Sequence, residues 1–150
     1  MTSPAPSPIY FPLVVKTLVD YLTTDYPQSM LTGVPDAQGN TPVACVIESE
    51  VPNPRPPRLV TLFTAPAAGP QSLVLSTRRI IANIYEGSEF VTGQLSETLR
   101  GLIVDSKYRG IGIKSVKVIG EPAKFPTPAE PYRWQFTADV MVRAIAAPWS

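Results

Sequence analysis

The side chains that ordinarily carry enzymatic chemistry are thin in this sequence. It has no histidine and a single cysteine, Cys45. Without histidine the chain lacks the commonest general base, the commonest metal ligand and every histidine-dependent nucleophilic triad. Cys45 stands in Val43-Ala44-Cys45-Val46-Ile47, an apolar run in which a thiol behaves as a small buried hydrophobe rather than a nucleophile. One cysteine also rules out an internal disulfide. The carboxylates Asp20, Asp25, Asp36, Glu48, Glu50, Asp105 and Asp139 show no spacing that pairs them for acid–base work, which needs two groups of separated pKa. Glu48 and Glu50 share a strand face, where two like charges are ordinary solvated groups. Gly110-Ile111-Gly112 lacks the third glycine and the following helix of a phosphate-cradling loop, and reads as a turn before a strand. Ser88 and Ser96 fall at a helix cap and a helix surface. The residues nominate no catalytic, metal or cofactor site, and an enzyme is the least favoured class.

Arginine is the more telling residue type. Arg55 and Arg58 frame a proline-stiffened loop, Arg78 and Arg79 are adjacent in a strand, and Arg133 and Arg143 share one strand face. A planar guanidinium pairs with carboxylates and stacks on rings, so arginine recurs where proteins meet. The 13 basic and 12 acidic residues leave a net charge of +1, too balanced for an extended phosphate track or an anionic membrane. Near-zero net charge also does little to oppose self-association. No apolar run approaches the roughly 18 to 20 residues of a membrane span. Met1 to Pro8 lacks the basic and apolar regions of a secretion signal, so a cytoplasmic place of assembly is expected.

The elements that must position these residues are punctuated by proline. Of 18 prolines, none lies between Gln71 and Glu121, so that window holds the centre of the fold, because proline is excluded from central strands and helix interiors. Residues 1–8 read as a flexible arm and residues 9–150 as one domain, long enough to bury a core without staples. A first helix is expected from about Phe11 to Thr24, with Val14 or Val15, Leu18, Val19 and Leu22 on one face and Pro12 in its first turn. Strands are expected at about Val43–Glu50, Leu59–Thr64 and Leu73–Glu86. In the last of these Ile80, Ala82 and Ile84 face one way while Arg79, Ile81, Asn83 and Tyr85 face the other. Both faces carry apolar residues, so the outer one needs cover from the arm or from another molecule. A second helix has Val91, Leu95, Leu99, Leu102 and Ile103 on one stripe and Ser88 as N-cap. Gly93 and Gly101 inside it imply a close backbone approach or fraying. A strand over about Ile111–Gly120, with a bulge near Lys114-Ser115, and a loop over Pro122–Pro131 precede the last strand, Tyr132–Arg143. There Trp134, Phe136, Ala138, Val140 and Val142 alternate with polar residues. The fold class that buries these stripes is α+β: an antiparallel or mixed sheet of four to five strands with two helices on one face.

In this order the pieces resemble a known family. They are Val19-Asp20-Tyr21-Leu22 at the end of the first helix, then Val51-Pro52-Asn53-Pro54-Arg55-Pro56 before a strand. Next come Ile84-Tyr85-Glu86-Gly87-Ser88, the amphipathic helix, Gly120-Glu121-Pro122, and Pro131-Tyr132-Arg133-Trp134-Gln135-Phe136-Thr137 leading to Val142-Arg143. From Ile9 to Ala144 the chain is similar to the tail terminator proteins of long-tailed bacteriophages, in the version common in phages of actinobacteria. It departs at Pro66-Ala67-Ala68-Gly69-Pro70, where the family often has a glycine pair. The resemblance implies a virion protein assembled in the host cytoplasm, a homo-oligomeric ring, usually a hexamer. The ring caps the tail tube, ends its polymerisation and offers a docking surface to the head-side connector. It implies no cofactor, membrane or sequence-specific nucleic acid as partner. Arg55, Arg58, Arg78, Arg79, Ile81, Tyr85 and Arg133 are the candidates for contacts between subunits or with the tube. The alternatives are another neck component, such as a stopper or head-completion protein, and a small ligand- or RNA-binding α+β module. Exposed aromatics on a sheet face would favour the last.

Overall fold

The computed structural model describes residues 9–11, 13–25, 43–66 and 74–146. Among them, two α-helices lie on one face of a five-stranded mixed sheet, so the fold is α+β. Strand β1 (Ile9–Tyr10) precedes helix α1 (Val14–Asp20), which widens into a last turn, Tyr21–Asp25. Strands β2 (Ala44–Ile47), β3 (Leu59–Ala65) and β4 (Leu75–Tyr85) follow. Helix α2 (Glu89–Asp105) leads to β5 (Ile113–Lys124), β6 (Trp134–Arg143) and the short β7 (Ile145–Ala146). The sheet order is β2-β3-β4-β6-β5, with β2 and β3 parallel and the other neighbours antiparallel. β1 pairs separately with β7. The expected arm at 1–8, the stretch 33–42 and the hairpin tip beyond Pro66 lie outside the described residues.

The inner face follows from strand alternation. Phe136, Ala138, Val140 and Val142 of β6 are buried in register with Ile80, Ala82 and Ile84 of β4, which continue into Val60 and Leu62 of β3. α2 covers this face with Leu95, Leu99, Leu102 and Ile103, and α1 with Val14, Val15 and Leu18. Each such side chain contributes about 1.5–3 kcal/mol on burial, so this shared core is what fixes both helices to one side. The Tyr21 hydroxyl donates to the Leu102 carbonyl at 3.0 Å and ties the end of α1 to α2. At the start of α2, Ser88 Oγ accepts from the Val91 N–H at 3.3 Å, the N-cap its sequence position requires. Trp134 lies against Gly93, where a Cβ would come within 3.3 Å of the indole, so this glycine permits the helix–sheet approach. Gly101 does not end the helix, which continues to Asp105.

Three boundaries differ from expectation. α1 begins at Val14 rather than Phe11, and Phe11 packs against the core beneath the Arg78 guanidinium. β2 stops at Ile47, and Glu48–Glu50 form a 3-10 turn, so Glu48 and Glu50 do not share a strand face. The chain leaves the sheet there because a parallel neighbour can be reached only by a crossover. β5 runs past Gly120 to Lys124 through Pro122; it is the edge strand, where a missing N–H costs no ladder bond. Its register slips between Ile113 and Ser115, at the expected bulge, and again at Val118/Gly120 and Gly120/Ala123.

Candidate interaction surface on the outer face of the sheet

With both helices on one side, strand alternation leaves Phe63, Arg79, Ile81, Asn83, Tyr85, Thr137, Asp139 and Met141 on the other. The crossover from Ile47 back to Leu59 passes over this outer face, as its contacts show. Glu48 accepts from Asn83 Nδ2 at 3.4 Å, and the Arg55 guanidinium lies 4.8 Å above the Tyr85 ring.

Asn83, only 1% exposed, organises this end of the face. Its Oδ1 accepts from Arg133 Nε at 3.2 Å and Nη2 at 2.7 Å, and from Gln135 Nε2 at 2.9 Å. The Arg133 guanidinium also sits 5.8 Å from the centroid of Tyr85 and 5.0 Å from that of Phe125. Two rings and a shared amide oxygen hold the fork in one orientation, so little freedom remains to be lost when a partner arrives. Arg133 makes no ion pair among the described residues, whereas Arg55 pairs with Glu130 from the β5–β6 connection. Further along the face, Arg79 holds Asp139 with two hydrogen bonds, at 2.9 and 3.3 Å, which raise the arginine pKa still further. Around that pair Phe63, Ile81 and Met141 remain half-buried.

Of the seven sequence candidates, Arg55 and Arg133 both lie over Tyr85, and Arg79 and Ile81 share their face. Arg58 and Arg78 are elsewhere. Arg58 is 2% exposed and paired with Glu86, so it closes the end of the sheet and is not a surface group. Arg78 shares the parity of Ile80; its Nε donates to Ser76 Oγ at 3.0 Å and its guanidinium lies 5.5 Å over Phe11. It borders a groove of about 720 Å³ between the first turn of α1 and the ends of β2, β3 and β4. Sequence reasoning did not single out Asn83, Gln135, Phe125 or Glu130 as members of the site. The available signal was Asn83 itself, a lone amide between Ala82 and Ile84 in the otherwise apolar stretch from Ile80 to Ile84.

Cys45 is buried, and desolvation pushes its thiol up to about 12, away from nucleophilic use. Among the described residues no group of three or more His, Cys, Asp or Glu side chains is placed to hold a metal, and no helix is long and apolar enough to cross a membrane. No protein-family model and no curated protein matches the chain.

Proposed function

We propose that this chain is a structural subunit that assembles into a closed ring capping a bacteriophage tail tube, a tail terminator, rather than a catalyst. The observation that carries the reading is the outer face. After both helices have docked, Phe63, Ile81 and Met141 still show apolar surface there, beside an arginine held by aromatic rings and an amide. Aromatic and arginine side chains around a partly apolar patch are the composition of protein–protein contact surfaces. A subunit that stops a tube from growing needs such faces and needs no acid–base pair. In this reading the outer face meets a sister copy or the last layer of the tube, and the remaining surface of the ring receives the head-side connector.

A small RNA-binding module would use free sheet aromatics, and Tyr85 is on the right face for it. Its ring is already covered by Arg55 and Arg133, so Tyr85 does not offer a base a free stacking face. Electron microscopy of the purified full chain, alone and mixed with growing tail tubes, tests the proposal. Annular particles and tubes arrested at one end are expected. A protein that stays monomeric and leaves tube length unchanged would overturn it.

A further inference from the structure

The outward side of α2 and the outer face of the sheet are complementary in charge and lie on opposite sides of the two-layer subunit. α2 docks on the inner face through Leu95, Leu99, Leu102 and Ile103, which leaves Phe90, Gln94, Glu97 and Gly101 exposed along one stripe, at i, i+4, i+7 and i+11. Phe90 is 74% exposed. Other charges of α2 are met within the chain: Glu89 by Lys124, Arg100 by Glu121 and Asp105 by Arg109. Glu97 has no ion pair among the described residues. On the outer face the pairs Arg79–Asp139 and Arg55–Glu130 are likewise internal. What is left over there is mainly positive: Arg133, Lys117 and Arg143 have no ion pair among the described residues, against the single carboxylate Glu48, which is hydrogen-bonded to Asn83. Phe125, 51% exposed, stands beside Arg133. Gly101 adds a second, independent mark. Among the described residues nothing comes within 4 Å of a Cβ added there, so no contact with them compensates for the helix propensity it sacrifices. A glycine on the exposed stripe lets another backbone come close.

We infer that the α2 stripe of one subunit docks on the Arg133–Phe125 end of the outer face of the next, with Glu97 against the Nη1 side of the Arg133 guanidinium, which Asn83 leaves open, and Phe90 against the neighbouring aromatics. This deepens the ring reading and rests on it. Because the two surfaces lie on opposite sides of the molecule, the contact is head-to-tail, the kind that makes a ring when its rotation closes and an open filament when it does not.

The test is the oligomeric mass of the full-length chain and its variants by sedimentation. The wild type assembles to several times the 16.3 kDa subunit. Glu97→Lys and Arg133→Glu each weaken self-association by about tenfold or more, and combining them restores assembly to within about threefold, the pattern of a direct charge contact. Circular dichroism shows whether Arg133→Glu still folds. If it does not, a second variant decides. Glu97→Cys with Phe125→Cys gives a covalent ladder of oligomers on mild oxidation, which neither single variant gives, and buried Cys45 takes no part. If the wild type assembles while Glu97→Lys assembles equally well, or the paired cysteines give no ladder, this contact is wrong and the ring stands. A wild type that stops at a dimer also overturns it. A wild type that remains monomeric with and without tubes removes the ring and the contact together.

Discussion

Asn83 and Arg58 each carry a buried polar arrangement, and each predicts its own cost. Asn83→Ala strips the acceptor from Arg133 and Gln135 and the donor from Glu48 at a position 1% exposed. Partners left unsatisfied in a buried network should cost about 2–3 kcal/mol in urea denaturation, more than Ile80→Val in the inner core at about 0.5–1.5 kcal/mol. Arg58→Met leaves the Glu86 carboxylate, with 4% of its side chain exposed, without its cation, and should cost about 3–5 kcal/mol. Replacing both, Arg58→Met with Glu86→Leu, should recover most of that loss, since the pair is costly to break but not costly to omit. Cys45 predicts a pH dependence. Its folded pKa is raised from 9.0 to about 12 by burial, so the fold favours the neutral thiol. That contribution is complete below pH 9.0 and fades as the pH climbs towards 12, because only the unfolded chain can ionise. The stability gap between the wild type and Cys45→Ala should therefore narrow from pH 8 to pH 10.5 in paired thermal melts. Iodoacetamide should label Cys45 only on unfolding.

Helix α2 shows two glycines with opposite meanings. Gly101→Ala meets nothing within 4 Å among the described residues and should stabilise the monomer by about 0.5–1 kcal/mol through helix propensity. Gly93→Ala sets a methyl 3.3 Å from the Trp134 indole and should gain nothing or lose stability; matched chemical denaturation of the two variants reads the difference. The sequence presents both simply as helix-interior glycines, because what distinguishes them is a tryptophan 41 positions away. The same boundary separates what was legible from what was not. The stripe of α2, the Ser88 cap, the alternation of β4 and β6 and the bulge after Ile113 are local periodicities, and they are visible in residue order. The parallel pairing of β2 with β3 and the path of the crossover over the outer face depend on partners far along the chain. So does the fate of Arg58, which resembled Arg55 in the sequence until Glu86 claimed it. Within the candidate site, face and parity were legible, and they correctly grouped Arg79, Ile81, Asn83 and Tyr85. The convergence of Arg55 and Arg133 on Tyr85, with Phe125 against Arg133, was not, since it requires the β2–β3 crossover and the β5–β6 connection to meet at the end of β4.

Both edges of the whole sheet are poor templates for another strand, and this constrains how copies of the molecule can meet. β2 offers only four residues before a 3-10 turn and Pro52, Pro54, Pro56 and Pro57. β5 is longer but broken in register three times, carries Pro122, and bears Lys114, Lys117 and Lys124. Short length, bulges, lysine and proline are the features that blunt an edge against strand addition. Association must then use faces, and the proposed pairing of the basic outer face with the α2 stripe has an electrostatic part that salt can screen. The Debye length falls from about 10 Å at 0.1 M to about 3 Å at 1 M, which weakens an exposed Arg133–Glu97 contact while sparing the burial of Phe90 and Phe125. Sedimentation should show one discrete oligomer at low salt whose mass stops rising with protein concentration. Its population should shrink, without vanishing, as sodium chloride rises from 0.1 to 1 M. Strand addition at β5 predicts the reverse: a mass that grows without limit and holds in salt, because backbone hydrogen bonds rather than side-chain charges would join the copies.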